Sequence, residues 1–447
     1  MQAPTLAATA VARAPLRCDP YALFLALRRD APRSVLLDAP PGAGRWAFMA
    51  AGDLQVVEAR REGFQAVDRA LGPARARAPS LPPFAGGFVG LLGYDLAREL
   101  ERLPARAPDV LGLPTVRGFL LDEVLACDTE ARVVHAVAAP RPGETAKEVE
   151  ARAADLLARA QGSLRVPEGR EAGGVAASDA GARGYQRMVR DAKELIAAGH
   201  TYQVNLAHRL SWRSTADPLW LHQRLRGLNP SPFAFYLDSG DWQLVSCSPE
   251  RLLRVRGRDV ETRPIAGTYP RAGAAEEEAQ AARLRADPKE RAEHTMLVDL
   301  ERNDLGRVCD FGSVRVAEFM ATERYSHVVH LVSSVVGRLR PGATSMGAVR
   351  ACFPGGTITG VPKVRAMEII EALEPSRRGF YTGSVGWIGF DGDADLNIVI
   401  RTMLCKDGQV HAPVGAGIVA DSHPEREWRE TLHKARAMLV AAGVEAP

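Results

Sequence analysis

Residues Cys352–Pro375, CFPGGTITGVPKVRAMEIIEALEP, constrain the fold more than any other stretch of this 447-residue chain. Gly355, Gly356 and Gly360 predict a tight turn, with the hydroxyls of Thr357 and Thr359 placed to tie it to nearby backbone. Pro362 suits a helix start, where its missing N–H costs nothing. Val364, Met367, Ile370 and Leu373 then form one apolar stripe, and Pro375 ends the helix. A glycine turn feeding a helix N-terminus presents unpaired N–H groups and a positive dipole end, which suits a small anion. It is not a P-loop: Val361 and Pro362 stand where Lys and Ser/Thr are needed.

The charge pattern narrows the partners. Net charge is +3 with both signs interspersed, so nothing marks a nucleic-acid or membrane surface. No run is apolar for long enough to cross a bilayer. The six cysteines are scattered without a CxxC pair, as expected of reduced thiols in a cytoplasmic protein. The first 17 residues carry Arg13 and Arg17 but no acid, and read as a frayed Ala-rich terminus.

Along the chain, Tyr21–Arg29 predicts a helix and Ser34–Asp38 a strand. Trp46–Met49 and Leu54–Val57 are expected to continue that sheet. The glycines of Pro82–Pro104, PPFAGGFVGLLGYDLARELERLP, predict a strand packed closely on another backbone. Phe119–Ala126 and Val133–Ala139 read as strands and Ala146–Ala160 as a helix. Residues 161–183 are rich in Gly, Ala and Ser and read as a mobile connection between an N-terminal part, 1–160, and a catalytic region, 184–445. Many strands with irregularly inserted helices predict an α+β architecture.

Several polar residues carry potential chemistry. Ser422–Glu425 predicts a capped helix start, after which Glu427, Glu430 and Lys434 share one face. Two carboxylates one turn apart suit Mg²⁺, although a solvated Glu430–Lys434 pair is the plainer reading. Glu293 falls on an apolar stripe with Leu297 and Leu300, so it must be paired, protonated or metal-bound. Together Glu293, Glu427 and Glu430 could cage Mg²⁺. His294 lies one residue round from the stripe and is not assigned by spacing. Glu250 stands at the end of the strand-like QLVSC, a suitable place for a general acid. Gln203 and Asn205 share one face of TYQVNL. Arg401 in NIVIRTML is a cation in an apolar strand and calls for an anionic partner. His330, in HVVHLVSSVVG, reads by default as a satisfied core histidine.

SPERLL, IAGTYPR, EHTMLVDLERNDLGRV, FPGGTITGVPKVRAMEIIEALEP, YTGSVGWIGF, LNIVIRT and GAGIVADSHPEREWRETLHKA occur in this order. In this the chain resembles the chorismate-utilising enzymes, closely over Tyr185–Ala442 and more weakly before it. The resemblance implies two large antiparallel sheets packed face to face with helices outside. It implies Mg²⁺ held by Glu293 and Glu430 with Glu427 beside them, gripping the ring carboxylate of chorismate. Arg401, Tyr381 and backbone N–H groups around Gly417 would bind the enolpyruvyl carboxylate. Lys434 and Thr357 would line the pocket, His330 would contact the substrate, and Glu250 would protonate the departing 4-hydroxyl.

Within that family, water-adding members resemble one another in having lysine where this chain has Gln203, so the resemblance implies an ammonia user. YQVNL, GGTITG, YTGSVG and DLNIVIRT are similar to the aminodeoxychorismate synthase branch, and LLDAP lacks the LLES associated with tryptophan feedback. Ala266 points instead to the anthranilate synthase branch, because the covalent lysine of PIKGT is missing and alanine is no nucleophile. No cysteine sits in an amidotransferase-type turn, so ammonia would come from a separate glutamine amidotransferase subunit. A catalytically silent docking or regulatory member is a third expectation, opposed by intact Glu250, Glu293, Glu430 and Arg401.

Overall fold

The computed structural model describes residues 8–447 except 30, 77, 163–166, 271–272 and 325–327. Two antiparallel sheets, of twelve and ten strands, organise the described residues. The middle of the larger sheet runs Arg33–Leu37, Phe233–Asp238, Trp242–Ser248, Thr402–Lys406, Gln409–Ile418, Gln203–Arg213 in spatial order. The smaller includes, in order, Arg251–Arg256, Ala394–Asn397, Ser384–Gly389, Gly87–Leu92 and Val116–Leu121.

The inner faces bury one shared core in which Phe48, Phe235 and Leu244 of the larger sheet meet Val89, Phe119 and Trp387 of the smaller. Helices cover the outer faces. Pro20–Arg28 lays Phe24 and Leu25 on the larger sheet, and Pro424–Ala442 adds Met438 and Leu439. Gly63–Leu71 and Ser345–Cys352 cover the smaller sheet through Phe64, Val67 and Val349. This is the α+β, face-to-face arrangement expected from the sequence.

Two runs divide differently from the sequence expectation. Phe119–Ala126 is not one strand: Val116–Leu121 lies in the smaller sheet and Glu123–Asp128 in the larger, with only Asp122 between them. Likewise Trp46–Gly52 belongs to the larger sheet and Gln55–Ala59 to the smaller. Gly52, at φ 138, makes the turn between them. Both runs keep their apolar content across the break because each side feeds the core, so composition does not mark the change of sheet. The close approach in Gly87–Leu92 is real: a Cβ on Gly90 would lie 2.3 Å from the Gly118 Cα of the paired strand.

Within the 161–183 run, Ala177–Ser178 pairs with Leu210 and Ser211, and Ala172, Gly173 and Ala176 hydrogen-bond to Ala442, Gly443 and Glu445. Residues 181–183 already belong to the helix Gly181–Ala197. No helix among the described residues is long and apolar enough to cross a membrane.

Candidate active site

The glycine turn lies beside an acid. Thr359 Oγ1 donates to Gly355 O at 2.9 Å and ties the turn to itself, as its sequence suggests. Thr357 does something else: its hydroxyl donates to Glu250 Oε1 at 2.8 Å. Pro362 is the residue just before the helix Lys363–Leu373, whose buried face is Ala366, Met367, Ile369 and Ile370, with Val364 turned outward. The start of that helix is taken by an ion pair, Lys363 Nζ to Asp304 Oδ2 at 2.5 Å, with the same ammonium bonding Cys352 O.

Glu250 follows Trp242–Ser248 and is buried. Burial pushes its carboxyl up to about 7, against the opposing pull of the Thr357 hydroxyl, the Ile265 backbone, Lys434 and Arg401. A carboxylic acid with that affinity holds its proton near neutrality and can give it up within a catalytic cycle.

Arg401 is not inside a strand. It stands where the chain leaves Ala394–Asn397 in the smaller sheet and enters Thr402–Lys406 in the larger, at φ 53. That left-handed conformation is uncommon for a side-chain-bearing residue and is held by the surrounding strands. Its guanidinium donates to Lys434 O, and burial lowers its pKa, against the pull of Tyr381, Glu430 and Glu250. Tyr381 is buried, its hydroxyl pushed up to about 12 chiefly by desolvation. Lys434 bridges Gly415 O at 3.0 Å and Glu430 at 2.7 Å. His330, on Val328–Arg338, feels Arg401, and burial followed by that charge brings it down to about 4. It is therefore a neutral imidazole at physiological pH.

The strand Gln203–Arg213 supplies the opposite wall. Val204 and Leu206 pack with Ala416 and Ile418 beneath the helices, so period-two alternation turns Gln203, Asn205, Gly415 and Gly417 to the other face. A Cβ on Gly417 would lie 2.7 Å from Gln203 Nε2. One on Gly415 would lie 2.8 Å from Asn205 Oδ1 and 3.1 Å from the Tyr381 hydroxyl. The two glycines thus leave room for the two carboxamides.

Glu250, Thr357, Arg401, Tyr381, His330, Lys434 and Glu430 are thereby brought into one electrostatic neighbourhood, with Gln203 and Gly417 along its wall. The acidic trio is not preassembled. Among the described residues no three carboxylates, histidines or cysteines converge on a metal position. Glu430 leans on Lys434, while Glu427 and Glu293 are half-buried on separate helices. Ser422 does not cap its helix: its hydroxyl accepts from Val419 N, and His423 occupies the N-cap without a side-chain bond.

Helix Pro288–Gly306 buries Leu297, as the sequence suggests, but its most buried residues also include His294, Val298, Glu301 and Asp304, with Glu293 and Leu300 half-buried beside them. His294 bonds the Ser333 hydroxyl and is a structural histidine, lowered to about 4 by burial. Glu301 lies under the glycine turn, where a Cβ on Gly356 would come 3.3 Å from its Oε1. Burial, then Asp304, pushes the Glu301 carboxyl upward. Burial raises Asp304 too, but Lys363 donates to Asp304, so Asp304 is the partner that ionises.

Sequence reasoning assigned no role to Glu301, Asp304 or Lys363, although all lie inside the ordered motifs. It also missed the clamp behind the wall. The fully buried Arg378 and Glu374 pair at 2.6 Å. Arg378 donates to Asn205 O and Ile358 O, both at 2.8 Å, and Glu374 accepts from Ala207 N at 2.9 Å. Four-residue spacing in EPSRR was the available signal.

A buried carboxyl of raised proton affinity within reach of the charges of Arg401 and Lys434 is an arrangement that suits a small anion. The chain belongs to the family of chorismate binding enzymes, whose profile matches residues 24–440. Anthranilate synthase component 1 of Thermus thermophilus is 50% identical over 82% of this chain and 79% of that protein. Aminodeoxychorismate synthase component 1 of Bacillus subtilis is 44% identical over 80% of this chain and 77% of that protein. Among solved structures, anthranilate synthase component I from Streptococcus pneumoniae superposes with TM-score 0.78 at 30% identity, covering 98% of this chain and 93% of that one. The menaquinone-specific isochorismate synthase of Escherichia coli shares the fold, with TM-score 0.76 at 18% identity, over 99% of this chain and 96% of that one.

Proposed function

We propose that this protein aminates chorismate with ammonia and is the large subunit of an aminodeoxychorismate synthase. The observation that carries the chemistry is Glu250: a buried, Thr357-bonded carboxyl that keeps its proton to about pH 7 beside Arg401 and Lys434. Loss of the ring 4-hydroxyl requires protonation, and Glu250 is the acid in place to give it. Arg401 and the Tyr381 hydroxyl take one substrate carboxylate, and neutral His330 contacts the ring without adding charge. Glu293 and Glu430, with Glu427 beside them, are oxygen donors of the kind Mg²⁺ prefers. Because that ion accepts one or two protein carboxylates and completes its shell with substrate and water, no preformed cage is needed. When bound there it supplies positive charge for the ring carboxylate. Ammonia comes from a separate glutamine amidotransferase subunit.

The second reading is anthranilate synthase component 1. Ala266 favours it, as does the likeness to the Thermus protein. For the 4-amino product, YQVNL and DLNIVIRT weigh more. The deciding experiment combines the purified chain with chorismate, Mg²⁺ and ammonium, with and without added aminodeoxychorismate lyase. p-Aminobenzoate formed only with the lyase supports the proposal. Anthranilate formed without it replaces the proposal with the second reading.

A further inference from the structure

Five N–H groups leave the Arg378 guanidinium, and each has an acceptor. Glu374 takes only two of them, from Nε at 3.0 Å and from Nη2 at 2.6 Å. The remaining three reach three separate segments around the site. They go to Ile358 O on the glycine turn at 2.8 Å, Thr382 Oγ1 at 3.1 Å and Asn205 O on the wall strand at 2.8 Å. Ile358 follows Thr357, whose hydroxyl donates to Glu250, and Thr382 follows Tyr381. One side chain thereby holds the neighbours of two site residues that come from different parts of the fold.

A role confined to stability does not account for this pattern. A buried ion pair offsets its own desolvation poorly, and apolar side chains of the same volume often hold a fold as well. What a planar fork supplies, and an apolar side chain cannot, is a fixed angle between the groups it binds. The edge of the wall strand needs such a fork. Gly360–Val361 pairs with Gln203 and Val204, and past that short ladder Asn205 O and Ala207 N are taken by Arg378 and Glu374, at 2.8 and 2.9 Å. The turn after Tyr381 needs holding too. Thr382 is β-branched and sits at φ 57, a left-handed conformation such a residue rarely keeps without outside support. Its hydroxyl accepts from Arg378 and donates to Tyr381 O at 2.6 Å, and the guanidinium lies 5.8 Å from the centroid of the Tyr381 ring.

We propose that Arg378, braced by Glu374, is a positioning residue of this enzyme. It fixes the glycine turn and the Tyr381 turn against the wall strand, so that Thr357 meets Glu250 and the Tyr381 hydroxyl faces the substrate. The inference rests on the reading above of Glu250 as the general acid and Tyr381 as a carboxylate ligand. Arg378 takes no chemical step itself and acts through Thr357 and Tyr381. The two branches have different consequences. Loosening the glycine turn weakens the bond that favours ionised Glu250, so the acid keeps its proton to higher pH. Loosening Thr382 lets the Tyr381 hydroxyl drift, which weakens the grip on chorismate and leaves the acid as it was.

The test is the pH dependence of chorismate turnover by the full chain, with Mg²⁺ and saturating ammonium. Arg378→Lys keeps the charge opposite Glu374 and gives up the fork. Its alkaline limb of kcat/KM is expected to move up by about half to one pH unit, and its chorismate KM to rise about tenfold. In a Thr357→Val background, where the bond to Glu250 is already gone, Arg378→Lys should move the limb no further. Thr382→Ala should raise the chorismate KM about fivefold with the limb in place, and Thr382→Ser, which restores the hydroxyl, should bring it back to within about twofold of the parent. A folded Arg378→Lys variant with a lowered Tm but the parent's limb and KM overturns the proposal and leaves the clamp a stabiliser. A limb that moves as far in the Thr357→Val background as in the parent overturns it as well. Should Arg378→Lys not fold, the Thr382 pair decides: a raised KM rescued by Ser supports the proposal, and an unchanged KM in Thr382→Ala overturns it. If Glu250→Gln keeps the parent's turnover, the acid reading itself fails and the proposal with it, an outcome distinct from the others.

Discussion

Thr357 Oγ1 donates a 2.8 Å hydrogen bond to Glu250 Oε1, joining the glycine turn to the acid at the end of Trp242–Ser248. The bond favours the ionised carboxyl, whereas burial favours the protonated one, and burial wins. Thr357 therefore aims the acid and limits how far its affinity for the proton climbs.

Replacing Thr357 by Val removes the donor and keeps the shape. The Glu250 pKa then rises, and with Glu250 as the proposed general acid the alkaline limb of kcat/KM is expected to move to higher pH. Turnover at neutral pH is expected to fall by about tenfold or more through lost orientation. A pH–rate profile checks both, and a limb that stays put or moves down contradicts the assignment.

Glu250→Gln is expected to abolish turnover and yet stabilise the fold above neutrality. The parent's folded value is about 7 and the ordinary value 4.5. Between these pH values the unfolded chain ionises while the folded chain does not, so parent stability falls as pH rises through that window. It levels off above it. At 1.36 kcal/mol per pH unit the variant gains up to about 3 kcal/mol over the parent at pH 8. Denaturant unfolding at pH 4.5 and pH 8 reads the gap, which should close at the lower pH.

Glu430→Gln separates the metal role from packing. Its pair with Lys434 is half exposed, so losing it costs about 0–1 kcal/mol. Turnover should drop by about a hundredfold or more and the Mg²⁺ concentration for half-maximal rate should rise, with Tm nearly unmoved. Activity close to the parent's at the same Mg²⁺ concentration would sink the assignment.

Arg378→Met breaks the buried clamp and strands the Glu374 carboxylate. The expected loss is about 3–5 kcal/mol, measured by denaturant titration. Arg378→Met combined with Glu374→Gln should recover part of it, since no uncompensated charge remains. If the double variant is no more stable than the single one, the cost lies in the freed Asn205 and Ile358 carbonyls and not in the charge.

Much of this was legible in the chain itself. Ala146–Ala160 ends where its periodicity ends, with Thr145 and Glu148 forming the capping box. The motif order disclosed the chorismate family, and Glu250, Thr357 and Arg401 emerge in one neighbourhood. What escaped were features set by tertiary contacts. Nothing local distinguishes Val116–Leu121 from Glu123–Asp128, because both are apolar and only their distant partners place them in different sheets. Helix Pro288–Gly306 reads with Glu293, Leu297 and Leu300 on one buried stripe, of which Leu297 is buried and the other two half-buried. The buried polar residues His294, Glu301 and Asp304 are hidden from any hydrophobic count, since their burial depends on Ser333 and Lys363 arriving from elsewhere.

The interleaving of strands between the sheets also governs the order in which the protein can come into being. Gly87–Leu92 lies between Val116–Leu121 and Ser384–Gly389, and Arg33–Leu37 between Trp46–Gly52 and Phe233–Asp238. On a ribosome, Gly87–Leu92 therefore has one partner early and must wait for nearly the whole chain before the other is made. Loop closure over such separations is slow, and the open, apolar strand edge is a hazard throughout. Translation thus leaves one edge of Gly87–Leu92 without its strand partner until Ser384–Gly389 is synthesised.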